Sequence, residues 1–224
     1  MSKQVAKQRQ EATVQEALSK SEQFFAQYKN HIMYGIAGII LLFGAWFAWQ
    51  KLYREPKKEE AMGQLFLAEQ AFRNNLFEVA LNGDGNILGF YQIADEYGSL
   101  AGDAIHFYIG VSHLHLNQYQ EAIDALSKYS VKDFIMQARA YCCIGDAYVG
   151  LDNFKKAEEF YMKAARHHDN LMAAAYLKKA AIICEESGAT ERAISLFKEI
   201  KDKYQQAPEA YDADKYIARL KAAQ

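Results

Sequence analysis

Proline is nearly absent: Pro56 and Pro208 are the only two in 224 residues. That scarcity excludes a loop-dominated or polyproline chain and leaves long helices uninterrupted. Cysteine is scarce as well, with Cys142, Cys143 and Cys184 only. The number is odd, two of the three are adjacent, and none has metal-ligand spacing, so neither a disulfide framework nor a zinc site is expected. Buried free thiols in helical segments are the expectation, most at ease in a reducing compartment. Charge of one sign is also lacking. Lys and Arg total 26 against 28 Asp and Glu, a net −2 with no basic block, which excludes a nucleic-acid-binding surface.

The machinery of catalysis is missing too. No nucleophile elbow, phosphate-cradling glycine loop or zinc motif occurs. His113 and His115 are two apart, so on a helix their side chains diverge by about 200°. His106 and His113 can share a face but have no evident third ligand, and His167 and His168 suit a helix terminus. The run "NGDGN" at 82–86 opens like a calcium loop but lacks the later ligands and the closing glutamate, and reads as a tight turn. The expectation is a non-enzymatic chain with no cofactor, no metal and no small-molecule substrate.

One long apolar run stands out. From Ile32 to Trp49, eighteen consecutive residues carry no charge. As a helix they would extend about 27 Å, close to the thickness of a bilayer's hydrocarbon. Tyr34 lies near one end, and Trp46, Trp49 and Tyr53 lie near the other, where amphipathic rings suit the membrane interface. Gly35, Gly38 and Gly44 would weaken a helix in water but are common in membrane-spanning ones. Thirty polar residues precede the run and no small-residue cleavage site follows it, which reads as an anchor rather than a cleaved signal. The chain accordingly divides into a polar tail (1–30), a transmembrane anchor (31–53) and a helical domain (54–224). In the tail, Val14, Leu18, Phe25 and Tyr28 are spaced to share a helical face.

Beyond the anchor the fold class is all-α. "EEAMGQLFLAEQAFRNNLFEVAL" reads as one helix, with Leu65, Ala68, Phe72 and Leu76 on one side, ended by the 82–86 turn. The chain then repeats. Gly110, Tyr119, Ala122 and Leu126 match Gly145, Phe154, Ala157 and Tyr161, and a weaker third copy carries Ala181, Ala193 and Phe197. The offsets, 35 and then 36 residues, approach the 34-residue tetratricopeptide period of paired helices. Small residues on both helices allow close approach, and the large residue four positions on fills the space beside them. Phe90, Ile93 and Tyr97 mark a partial copy before these, and a closing helix follows Pro208. Such hairpins cover their apolar faces only by stacking, which predicts an α-solenoid. Its first helices would line a groove for protein partners, with Phe107, Arg139, Asp146 and Lys178 placed to face it.

The segment "EQFFAQYKNHIMYGIAGIILLFGAWFAWQKLY" resembles the N-terminal region of the YfgM family. Phe24, Phe25, Gly35, Gly38, Gly44, Trp46 and Trp49 carry the likeness. Downstream, "IADEYGSLAGDAIHFYIGVSHLHLNQYQEAIDAL" is similar to the run that opens the family's helical repeats. The likeness in layout extends from about residue 22 to the end. It implies a single-pass protein of the bacterial inner membrane, an ancillary subunit of the SecYEG translocon. It also implies work beside a PpiD-like chaperone in handing exported proteins to periplasmic folding factors.

Charge and resemblance disagree about which side holds the domain. Lys20 and Lys29 lie just before the span; Lys51, Arg54, Lys57 and Lys58 lie just after it, a lean towards a cytoplasmic domain. Adding Lys3, Lys7 and Arg9 makes it five against four and nearly cancels that lean. The resemblance implies a periplasmic domain and a cytoplasmic N-terminus, and it rests on more positions. Two further readings stay open: a tethered adaptor recruiting a cytoplasmic partner, and a subunit that positions a cell-envelope enzyme.

Overall fold

The computed structural model describes residues 27–223, and all regular structure in that range is helical. The tail residues Val14, Leu18, Phe24 and Phe25 lie outside the described residues. The chain divides into two units, one ending at Pro56 and the other Lys57–Gln224.

The first unit carries the apolar part of helix α1 (Gln27–Arg73). Among the described residues this is the one helix long and apolar enough to cross a membrane. The side chains of that apolar stretch have no protein cover: Leu41 and Leu42 are each 73% exposed, and Trp46, Trp49 and Tyr53 lie open as well. The proline and charges of "REPKKEE" (54–60) read as a boundary, and the two units divide there, after Pro56. A π-helical turn at Gln50–Arg54 precedes Pro56, with the Glu55 amide donating to the Gln50 carbonyl. The widened turn makes room for a proline that has no N–H to give.

The second unit is built of short helices: α2 (Phe77–Asn82), α3 (Phe90–Tyr97), α4 (Ala104–His115), α5 (Tyr119–Lys128), α6 (Phe134–Gly150), α7 (Phe154–His167), α8 (Met172–Glu186), α9 (Thr190–Lys203), α10 (Pro208–Tyr211) and α11 (Ala213–Ala222). The single helix expected through Leu76 is two. Asn75 takes a left-handed conformation (φ 60°), which ends α1 and leaves Leu76 54% exposed before α2. Asparagine tolerates that backbone better than most residues.

From α4 onwards one turn recurs. Asn117, Asp152 and Gly188, 35 and then 36 residues apart, each have positive φ (58°, 55° and 79°). At each, the next amide reaches back to close the helix: Gln118 to His113, Asn153 to Tyr148 and Ala189 to Cys184, at 2.9, 2.9 and 2.7 Å. This is the Schellman closure, which needs a residue able to sit left-handed. Asp133 caps α6 by accepting from the Ile135 and Met136 amides, and Asn153 caps α7 through the Lys156 amide.

Three helix pairs, α4–α5, α6–α7 and α8–α9, pack in succession. Each repeat position has a definite place. A Cβ on Gly110 would lie 2.4 Å from Leu126 Cγ, and one on Gly145 would lie 2.6 Å from the Tyr161 ring. Ala122, Ala157, Ala181, Ala193 and Phe197 are wholly buried. Tyr119 lies half-buried against Gly150 of α6, and Phe154 packs half-buried on the core that runs through α8 and α9. Phe90, Ile93 and Tyr97 turn inward together from α3, in a core shared with Ala61, Leu65 and Ala68 of α1. Burial of each such side chain stabilises by roughly 1.5–3 kcal/mol for the larger ones.

Ion pairs record the stacking. Asp146–Lys179, Arg166–Glu199, Glu158–Arg192 and Glu185–Arg219 join residues 33, 33, 34 and 34 apart. Asp169 accepts from the Tyr204 hydroxyl, 35 residues on, at 2.9 Å. Partly exposed pairs contribute little each. Their common spacing shows that each element lies beside its counterpart one period later.

Gly145→Ala is expected to lower stability by about 1–3 kcal/mol through overpacking against Tyr161. Gly63→Ala, where a Cβ meets nothing, should instead raise it by about 0.5–1 kcal/mol. Thermal melts of both variants followed by circular dichroism check this, and equal melting temperatures would count against the packing. A second expectation concerns pH. The bidentate hydrogen bond from Arg166 holds the Glu199 carboxyl below its ordinary value of 4.5. Its contribution is therefore complete above the ordinary carboxylate range and is lost as pH falls through the lower folded-state value. Glu199→Gln should flatten that part of the acid limb in a plot of melting temperature against pH.

Candidate functional site

The four residues expected to face a groove occupy different settings. Phe107 is 6% exposed and packs on Tyr129, with ring centroids 5.4 Å apart, so it belongs to the core rather than to an open surface. On α4 its ring is packed in a core with Leu126, Tyr129 and Ile144. Arg139 of α6 is exposed and spreads its guanidinium over that ring at 5.8 Å. The structure thus brings Phe107 and Arg139 together as one cation–π contact.

Asp146 is half-buried and committed. It accepts from the Tyr161 hydroxyl and from Lys179 Nζ, each at 2.6 Å. Burial, and then the Asp146 charge, push the Tyr161 phenol far above its ordinary range, so it stays a donor. Lys178 lies apart from this pair, over the Tyr216 ring at 5.4 Å. Lys179, one residue on, is the lysine that meets Asp146. Its one-period offset of 33 residues is the signal that finds it.

The histidines serve packing and hydrogen bonding. His113 is buried, with Nδ1 2.6 Å from Gln118 Oε1 and Nε2 2.5 Å from the Tyr91 hydroxyl. An amide oxygen only accepts, so Nδ1 carries the proton and the Tyr91 hydroxyl donates to Nε2. His115 stacks on Phe77 and His168 on Phe134, at 4.3 and 3.8 Å. Among the described residues, no three His, Cys, Asp or Glu side chains converge as a metal site.

A cleft of about 340 Å³ opens between α3, α4 and α5. Ala94, Ile109 and Ala125 line its floor. Tyr91, His106, Glu121, Asp124 and Lys128 complete it. Burial, and then the Glu121 charge, raise the Tyr91 phenol above its ordinary value. Sequence reasoning singled out none of these residues as a site, because the cleft arises from what two of them lack in bulk.

All three cysteines are free. Burial pushes the Cys142 and Cys184 thiols up to about 12 and that of Cys143 to about 11. A thiol protonated at neutral pH is a poor nucleophile. No protein-family model matches the chain, and no curated protein matches it either.

Iodoacetamide at pH 7.5 should leave Cys142 and Cys184 largely unmodified in the folded chain and alkylate both in denaturant. Rapid modification of either without denaturant, read by mass spectrometry, would contradict their burial.

Proposed function

We propose that the chain is a non-enzymatic, membrane-anchored interaction scaffold, its helical unit a tetratricopeptide-like α-solenoid. One observation carries this reading. Turns, close contacts and ion pairs recur at one period of 33–36 residues, and the apolar stretch of the one described helix able to cross a membrane has no protein cover. Stacked hairpins present extended surface rather than a closed reaction site. A span would hold that surface at a bilayer and raise its effective concentration near membrane-bound partners, so individual contacts can be weak.

Within that class, the resemblance of the anchor and repeats to the YfgM family supports an ancillary role at the SecYEG translocon. The domain then lies in the periplasm of a bacterial inner membrane, beside a PpiD-like chaperone, and receives exported chains. A second reading has specific support. Lys51, Arg54, Lys57 and Lys58 after the apolar run, together with three free thiols, favour a cytoplasmic domain. It would be an adaptor that recruits a soluble partner or positions a cell-envelope enzyme.

Extraction in mild detergent at native expression, followed by mass spectrometry, separates the two. Enrichment of SecY and a PpiD-like chaperone is expected. A soluble cytoplasmic partner in their place would move the domain to the other face and overturn the translocon assignment.

A further inference from the structure

The cleft between α3 and α5 has counterparts that show what fills it. Thirty-five residues on, in the next hairpin, Tyr141 and Phe160 stand where the first has His106 and Ala125. There the space is occupied. Phe160 packs on Tyr148 at 5.4 Å, and Lys163 Nζ lies over the Tyr141 ring at 4.1 Å. In the third copy Leu177 and Leu196 take the same places, 0% and 1% exposed. Only the first hairpin leaves the volume open, because an alanine and a histidine replace two large apolar groups.

Charge differs in the same way. Lys156 and Glu159 of the second hairpin pair with each other at 3.0 Å. Their counterparts are Glu121 and Asp124, both acidic. Among the described residues neither has a cation at ion-pair distance; Asp124 accepts only from the Gln120 amide, at 2.9 Å. Lys128 stands where Lys163 does, without a tyrosine ring beneath it.

We propose that this cleft binds an aromatic side chain of a polypeptide, followed in that chain by lysine or arginine. The proposal rests on the scaffold reading and names a ligand class for it. A volume of about 340 Å³ lies at the small end of ligand pockets and suits a side chain rather than a cofactor. The incoming ring takes the place that Phe160 and Tyr141 fill one repeat later, on Ala94, Ile109 and Ala125. Lys128 covers it as Lys163 covers Tyr141. The following cation meets Glu121 and Asp124, neither of which, among the described residues, has a cation at ion-pair distance. Exported or unfolded chains expose such aromatic–cation pairs, whereas folded ones bury the aromatic.

The test uses the full chain in nanodiscs and three fluorescent hexapeptides, Gly-Ser-Phe-Lys-Gly-Ser and its Phe-Glu and Ala-Lys versions, with empty nanodiscs as the blank. Fluorescence anisotropy should show the Phe-Lys peptide binding about tenfold more tightly than either other, as expected for a charge-assisted contact. His106→Tyr with Ala125→Phe transplants the second hairpin's filling and should abolish binding without lowering the melting temperature. Glu121→Gln with Asp124→Asn should erase the Phe-Lys preference over Phe-Glu, and it decides the matter if the filled variant does not fold. Equal binding of the Phe-Lys and Ala-Lys peptides, or binding unchanged by both double variants, would overturn the proposal. So would no binding up to about 1 mM, the weakest affinity of interest. Absence of translocon components from detergent extracts bears on the anchoring role and leaves the peptide result standing. Their presence without peptide binding sinks the cleft alone.

Discussion

Apolar surface must be covered, and among the described residues one long stretch is not. Residues such as Leu41, Leu42 and Ile39 stand 73%, 73% and 68% exposed on a helix with no charge between Ile32 and Trp49. Eighteen such residues in water would cost far more than the few kcal/mol that keep a domain folded. A bilayer removes the cost, because a helix satisfies its own backbone and its side chains match the lipid. The anchoring role proposed for the molecule depends on that solvent. A scaffold with weak contacts is useful when it is held where its partners are.

The second unit solves the same problem by a different route. No hairpin here can cover its own apolar face, so each leans on the next. The close approach inside a hairpin is set at single atoms: Gly110 beneath Leu126, and Gly145 beneath the Tyr161 ring. The reversal between helices is set by one left-handed residue, Asn117, Asp152 or Gly188. Once spacing and reversal are constant, polar groups one period apart meet by geometry. Asp146 reaches Lys179 and Glu185 reaches Arg219 for that reason. Stability in such a stack is shared between hairpins and their interfaces, so a defect in one hairpin weakens its neighbours.

Much of this was legible in the residues. The apolar run, the repeat period and the Gly–Ala–large pattern all follow from spacing alone. The left-handed turns were half legible: Gly188 announces itself, whereas Asn117 and Asp152 do so only through their common place in the period. Other features were not. The boundary that "REPKKEE" marks is where the two units divide, but nothing in the spacing announced the π-helical turn just before Pro56. The residues meant to face a groove show the limit most clearly. Helical phase placed Phe107 and Asp146 towards a groove, yet the ring of Phe107 is buried against Tyr129 and Asp146 is held by Lys179 from the next hairpin. The cleft beside His106 and Ala125 is legible only by comparison, since an alanine marks an opening when its counterparts are phenylalanine and leucine.

The central claim is that a folded interaction unit is tied to a membrane by one span. Sealed membrane vesicles carrying the full chain at native expression, washed with alkaline carbonate and then treated with protease from each face in turn, test it directly. The account predicts that the chain stays in the membrane pellet. It also predicts that Lys57–Gln224 is accessible from one face only, with a fragment bearing the apolar run protected. Release of the intact chain into the carbonate wash, or equal access to that unit from both faces of sealed vesicles, would contradict it.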